Sequence, residues 1–396
     1  MFDVIHQQYL SLIAKPITPW RRYLFAQLPK NEKLIGIIGA RGVGKTTLLL
    51  QFLREHNDYL NKALYFSLDS LQAGGVDLFE FAHKFAQEGG ELLVLDEVHH
   101  YPNFERTLKT IYDQLDLQVI FSGSSALHLE HSKADLSRRA VVYSLYGLSL
   151  REYTNLTLNL DLPCYSLEEI YTNHLQITHQ LCQKIKPLAL FKEYLKTGYY
   201  PYFLQSKETY LTKLAQTLAL AIDLDLPKIH SIDQAKLASL KKLMVILSQS
   251  KPHEINISKL SAAIGTSRNA VYNYLNYLEQ ADLLLSVWGE GKNTAMMAKP
   301  EKLYLSNSNN YFALCSTPEI GTLREVFFVS QLSQGHEVRY PNKADFLVDD
   351  QYLFEIGGES KTNQQISHAA QAYLALDGIE HGRGQRIPLW LFGFLY

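Results

Sequence analysis

The chain has 396 residues, of which 46% are hydrophobic, 12% aromatic and 20% charged, a balance that builds cores and excludes a disordered chain. At roughly 100–200 residues per domain, this length predicts two to four domains. The net charge of −2 excludes global basicity as a route to nucleic acid, so any such contact has to be local.

Residues 1–30 read as a helical lead-in that ends near Pro29-Lys30-Asn31. Four short, almost wholly apolar runs follow: Leu34–Ile38, Ala63–Leu68, Leu92–Leu95 and Gln118–Ser122. Such runs predict strands buried on both faces. Helical stretches such as Thr46–Glu55 and Phe104–Leu115 alternate with them, which predicts an α/β fold with a parallel sheet covered by helices and closing near Tyr153. From Leu167 to Leu247 the pattern is helical, broken at Gly198-Tyr199-Tyr200-Pro201. Lys236 to Val287 predicts three helices and a wing, with Ser258 capping Lys259–Ile264 and Ser267 capping Arg268–Gln280. Beyond Gly289 strands return at Lys302–Leu305, Glu337–Tyr340, Ala344–Val348 and Tyr352–Ile356, with helices at Thr322–Gln334 and Gln364–Leu376.

Cys164, Cys182 and Cys315 form neither a disulfide framework nor a zinc-knuckle spacing, which fits a reducing compartment. The opening Met1-Phe2-Asp3-Val4-Ile5-His6 has no basic stretch ahead of an apolar one, and no apolar run approaches the roughly 18 residues of a membrane span. A cytoplasmic protein without membrane contact is expected.

The strongest signal is Gly39-Ala40-Arg41-Gly42-Val43-Gly44-Lys45-Thr46, followed by Thr47, a complete G-x-x-x-x-G-K-[ST] phosphate loop between a strand and a helix. Its glycines let successive N–H groups turn inward as an anion nest, and the helix N-terminus adds partial positive charge. Lys45 is expected on the β- and γ-phosphates and the Thr46 hydroxyl on Mg²⁺. Leu92-Leu93-Val94-Leu95-Asp96-Glu97 supplies two carboxylates at a strand end: Asp96 to hold the metal through water and Glu97 as the catalytic base. Adjacent histidines on a regular element face different sides, so His99 and His100 are not expected to act as a metal pair. Ser122 or Ser124, at the end of the next strand, is expected to place a polar group near the γ-phosphate, and Ser124 is taken as the candidate. Arg138 or Arg139 is the candidate for stabilising transition-state charge, in cis or across a subunit interface.

With these motifs the chain resembles a prokaryotic AAA-like P-loop ATPase family, the archaeal-type ATPases. Ile35 to Thr47 is similar to its first motif and Asp96 to Phe104 to its second. Ser122-Gly123-Ser124-Ser125-Ala126 is similar to the third, and Asp135 to Ala140 running on to Tyr153 to the fourth. Gly198-Tyr199-Tyr200-Pro201 is similar to the family's Gly-Gly-x-Pro turn. The resemblance implies an ATPase domain over residues 1–155, a helical lid or linker over 156–235, a winged-helix domain over 236–290 and a degenerate restriction-endonuclease-like domain over 291–396. It also implies ATP rather than GTP as the nucleotide.

Restriction-like nucleases place an Asp on one strand and Glu-x-Lys on the next. A three-residue loop, Asp349 to Gln351, would pair Val348 with Tyr352 and set Asp345 opposite Glu355, with Glu325 as a third acid. The lysine position, two residues past Glu355, is Gly357, and nuclease activity is therefore not expected. The helix Arg268–Gln280 carries a single arginine, so its residues leave DNA and protein equally open as its contact, with Lys236, Lys241, Lys242, Lys251 and Lys259 nearby in sequence. The expected function is Mg²⁺-dependent ATP hydrolysis that drives a switch or motor on DNA or a protein partner, with an ATP-dependent homo-oligomer if an arginine acts in trans. The alternatives are an ATP-locked binding module and an ATP-regulated nuclease.

Overall fold

A computed structural model of the chain describes residues 2–55, 62–70, 73–125, 136, 138–229, 232–252, 256–290, 299–341, 343–362 and 371–396. The chain divides into two compact units, residues 1–146 with 224–231, and residues 147–223 with 232–396.

In the first unit the apolar runs become β1 (Leu34–Gly39), β2 (Ala63–Ser67), β3 (Leu92–Asp96) and β4 (Gln118–Ser124). A fifth strand, β5 (Val141–Ser144), was not legible as one: it lies at the sheet edge, and Val141 and Val142 are exposed. All five are parallel, in the order β2-β3-β4-β1-β5. β1 and β3 are buried at every position, the condition that selects continuous apolar sequence over alternation. Helices Lys45–Glu55, Leu78–Gln87 and Phe104–Gln114 lie in the connections. Because β2, β3 and β4 fall on one side of β1 and β5 on the other, the carboxyl end of β1 opens where the winding changes direction, the place where open α/β sheets bind ligands. Gly39 has no room for a side chain there, since a Cβ would come within 2.2 Å of the Leu145 carbonyl oxygen. The lead-in forms a helix, Phe2–Ala14, and a tight turn, Tyr23–Gln27. Ahead of that turn, buried Arg22 donates to the carbonyls of Val43 and Tyr146, each at 2.7 Å, and so braces the loop that follows β1.

The second unit opens with helices Leu150–Leu158 and Leu167–Cys182, each started by a capping box, Ser149 with Glu152 and Ser166 with Glu169. The helix Pro187–Thr197 stops before Gly198, and Pro201 opens a short turn. Helices Gln234–Ser248, Ile257–Ile264 and Arg268–Gln280 precede an antiparallel pair, β6 (Leu284–Gly289) and β7 (Lys302–Leu305). The second of these helices is capped by Asn256, which accepts from the N–H groups of Ser258 and Lys259, so Ser258 lies inside the helix rather than capping it. Ser267 caps the third as expected.

β6 and β7 join β8 (Val338–Tyr340), β9 (Phe346–Val348), β10 (Tyr352–Gly358), β11 (Ala372–Asp377) and β12 (Arg386–Pro388) in a seven-stranded mixed sheet, order β12-β11-β10-β9-β8-β6-β7. Tyr352 pairs with Val348, the expected register. The helix expected over 364–376 is corrected: 372–377 is strand β11, parallel to both β10 and β12, and 363–370 lie outside the described residues. Alanine and leucine favour helix locally, but burial between two strands overrides that preference. Helix Ile320–Leu332 covers this sheet through Phe328, whose ring meets those of Phe346, Phe354 and Phe392. Among the described residues no helix is long and apolar enough to cross a membrane.

Candidate functional site

Past β1 the backbone enters the left-handed region at Gly42 (φ 88°) and Gly44 (φ 102°), conformations that favour glycine. Lys45 then opens the helix, and Leu48 closes its first turn by donating to the Gly44 carbonyl at 3.0 Å. Lys45 is buried, and its ammonium donates to the carbonyls of Gly39 (2.9 Å) and Ala40 (3.2 Å). A full positive charge thus sits in the mouth of the loop, held by two neutral acceptors that an anion would replace.

Asp96, buried at the end of β3, is the centre of the polar cluster. Its carboxylate accepts from the Thr46 hydroxyl (2.6 Å), the Tyr65 phenol (2.7 Å) and the Ser122 hydroxyl. Burial, followed by the Asp96 charge, pushes the Tyr65 phenol far above its ordinary value, so it stays a donor. Tyr65 could not be found from a motif: it reaches Asp96 only because β2 lies beside β3. Glu97 follows in the left-handed conformation (φ 56°), uncommon for a residue with a side chain, and its N–H donates to the Ser122 hydroxyl at 3.1 Å. The polar group that β4 delivers to the carboxylates is therefore Ser122. Ser124 is buried two residues further on, beside Gly39, and its N–H lies 3.4 Å from His99 Nδ1.

Residues 31–154 match the family described as AAA domain. They are an AAA domain with a P-loop sheet. Residues 188–314 match a family described as Domain of unknown function (DUF8612). An uncharacterized protein of Methanocaldococcus jannaschii is 27% identical over 381 residues, covering 88% of this chain and 80% of its own. Among solved structures, the Aeropyrum pernix ORC1 protein in complex with DNA is 11% identical, over 79% of this chain and 91% of that one, with a TM-score of 0.33. AMPPCP-bound DnaA from Aquifex aeolicus is 17% identical, over 65% and 85%, with a TM-score of 0.27. Scores this low do not specify a fold; the phosphate loop, the sheet order and the family match do.

The first unit carries a second polar cluster beside the first. Arg41, inside the phosphate loop, grips Asp225 with a two-pronged contact, Nε to Oδ2 at 3.3 Å and a terminal nitrogen to Oδ1 at 2.8 Å. Burial raises the Asp225 carboxyl, but its neighbours His99 and Arg41 outweigh that and hold it well below the ordinary carboxylate range. His99 lies with Nε2 3.8 Å from Asp225 and Nδ1 3.5 Å from the Glu97 carboxylate. Val98–His100 is a single turn of 3-10 helix, and there His99 and His100 do not diverge: their rings meet edge-on at 4.5 Å, and each, with Glu97, offers one ligand atom within 4.8 Å of the others. This corrects the expectation drawn from regular elements.

The arginines stand elsewhere in the AAA domain. β5 runs parallel to β1 with Val141 level with Ile35, so Arg138 and Arg139 precede β5 at the amino edge of the sheet, opposite the phosphate loop. Arg139 forms a two-pronged pair with Asp113 (2.8 and 3.0 Å), and Arg138 is exposed. Neither is brought to the phosphate loop of its own chain. Asp135, Ser137 and Ala126, quoted with these motifs, lie outside the described residues.

In the second unit the acids of the expected nuclease pattern do come together, with lysines between them. Buried Lys302 contacts Glu325 (2.9 Å) and Asp345 (3.5 Å), and Tyr304 donates to Glu325. Lys361 contacts Glu355 (2.6 Å) and Asp345 (3.5 Å). It reaches Glu355 across Gly357, where a Cβ would meet Lys361 Cβ at 2.7 Å. The ammonium absent from position 357 is thus supplied from four residues on.

Proposed function

We propose that the protein binds ATP with Mg²⁺ and hydrolyses it, and that the cycle drives a switch or motor acting on DNA or on a protein partner. The observation that supports this best is the convergence of Thr46, Asp96 and Ser122 at the mouth of a complete phosphate loop, with Glu97 as the adjoining carboxylate. The loop N–H groups and Lys45 bind and orient the phosphates. Thr46 and Asp96, hard oxygen donors already in contact, fit Mg²⁺, which when bound neutralises charge on the β- and γ-phosphate oxygens. Glu97 takes the proton of the attacking water, and its N–H bond to Ser122 fixes it beside Asp96. Because Arg138 and Arg139 lie at the opposite sheet edge, an arginine contribution from them comes in trans, within an ATP-dependent homo-oligomer.

Helix Arg268–Gln280 presents Arg268 and Asn269 to solvent and is the surface offered to DNA in this reading. The nearby cations are partly spent, Lys236 on Asp233 and Lys241 on Asp223. Steady-state ATP hydrolysis in Mg²⁺ is expected, and its rate across a DNA titration identifies the partner. A rate that climbs to saturation assigns DNA; a constant rate assigns a protein. Nucleotide that stays bound without turnover replaces the motor by an ATP-locked module.

We also propose that the carboxy-terminal sheet does not cleave nucleic acid. With Lys361 in place, the reason is no longer a missing ammonium. Lys302 instead fills the space between Glu325 and Asp345 that a divalent ion would need. Among the described residues, Glu325, Asp345 and Glu355 are not a group whose ligand atoms all lie within 4.8 Å. Plasmid and single-stranded DNA are expected to survive incubation in Mg²⁺ or Mn²⁺. Cleavage that disappears in Asp345→Ala would refute this.

A further inference from the structure

We infer that Asp225 is a positioning residue of the nucleotide site, tying Arg41 of the phosphate loop to His99 beside the catalytic base Glu97; this rests on the ATPase reading above. Asp225 is distant in sequence from every motif of the site, and its side chain is only 4% exposed. The backbone at Ala221–Asp225 widens from α to π geometry, a local distortion that re-aims side chains and is common at functional positions. It places the carboxylate against two groups that belong to different parts of the site.

The first is Arg41, between Ala40 and Gly42, whose two-pronged contact with Asp225 fixes the outer residues of the loop. The second is His99, with a side chain 1% exposed. Its ring stands between two carboxylates, Nε2 toward Asp225 and Nδ1 toward Glu97. At 3.5 and 3.8 Å neither approach is a tight hydrogen bond, so the ring is held by its surroundings as a spacer rather than clamped. Glu97 has a left-handed backbone and one N–H contact, and its carboxylate lies 3.5 Å from His99 Nδ1, which also faces the Ser124 N–H at 3.4 Å. If Asp225 lets go, Arg41 can swing out and the ring can turn, and the base loses its aim while Lys45, Thr46 and Asp96 keep theirs.

That separation gives the test. In the full chain, Asp225→Asn preserves shape and removes the charge; Asp225→Ala removes both. Turnover number, ATP dissociation constant and melting temperature are measured for each. The expected result is a fall in turnover of about 10- to 100-fold, the scale of a roughly 1 Å misplacement of a reacting group. The ATP dissociation constant stays within about threefold of wild type, because Lys45, Thr46 and Asp96 keep their contacts and only the Arg41 side chain is released. His99→Ala is expected to reproduce the fall, and the double variant with Asp225→Asn to add little to it, the non-additivity of residues that act through one another. Turnover unchanged in both Asp225 variants would overturn the proposal. So would turnover, affinity and melting temperature falling together, which marks an ion pair that only holds the fold. A wild-type protein without turnover under the same conditions is the separate failure of the ATPase reading, visible before any variant is compared, and it removes the reaction that Asp225 is held to serve.

Discussion

Glu97→Gln is expected to lower ATP turnover by about 10²- to 10⁴-fold, the usual contribution of a positioned general base, and to leave ATP affinity close to that of wild type. The two side chains have the same shape, and the backbone contact from residue 97 to the Ser122 hydroxyl does not involve the carboxylate. In the proposed site the phosphates are held by Lys45, Thr46 and the loop N–H groups, none of which the substitution changes. What is lost is the acceptor for the proton of the attacking water. Single-turnover hydrolysis alongside equilibrium ATP binding checks this. A variant that binds ATP and hydrolyses it at the wild-type rate would move the base elsewhere, with His99 as the nearest neighbour to examine.

The parts of this site that were legible in sequence are contiguous ones. Gly39 to Thr46 specifies strand end, loop and helix start in a single stretch, and Leu92 to Glu97 carries both the burial and the two acids. Local chemistry decides such features. The parts that were not legible depend on which strands are neighbours. Ser122 and Ser124 lie on the same side of β4, since side chains alternate with period two, so the sequence alone does not choose between them. The register sets Asp96 level with Ser122, since Leu95 pairs with Phe121. Tyr65 and Arg22 are contributed across the sheet and from the lead-in. Asp225 comes from a distant turn that local pattern describes only as helix.

The second unit shows the same division. The Val348–Tyr352 pairing followed from turn length, a local quantity. Strand β11 was read as helix because Ala372, Leu374, Ala375 and Leu376 are good helix formers, and only the presence of β10 and β12 on either side makes them a buried strand. Period-two geometry points to position 357, and nothing in the sequence requires Lys361 to reach back. The chain turns after β10 and brings Lys361 back over Gly357, the residue whose missing side chain leaves the space. Burial raises the Glu355 carboxyl even with that ammonium beside it, as expected for a group held inside the fold rather than displayed to solvent.

Lys45→Ala is expected to weaken ATP binding by about a hundredfold or more. A hydrogen bond to a charged group contributes about 1.5–3 kcal/mol, and Lys45 is positioned to exchange two carbonyl acceptors for phosphate oxygens. In the free protein the loss is milder. The ammonium is bonded to the neutral carbonyls of Gly39 and Ala40, and the loop keeps Gly42, Gly44 and its brace from Arg22. Thermal unfolding with and without nucleotide separates the two effects. Wild-type protein at a hundredfold excess of ATP over its dissociation constant gains about 2.7 kcal/mol, seen as a rise of a few degrees in the melting temperature. The variant should melt near the wild-type temperature without nucleotide and show no such rise at the same ATP concentration. A full nucleotide-induced rise in Lys45→Ala would mean that the phosphates are held without the loop lysine, and would refute the assignment of this loop as the ATP site.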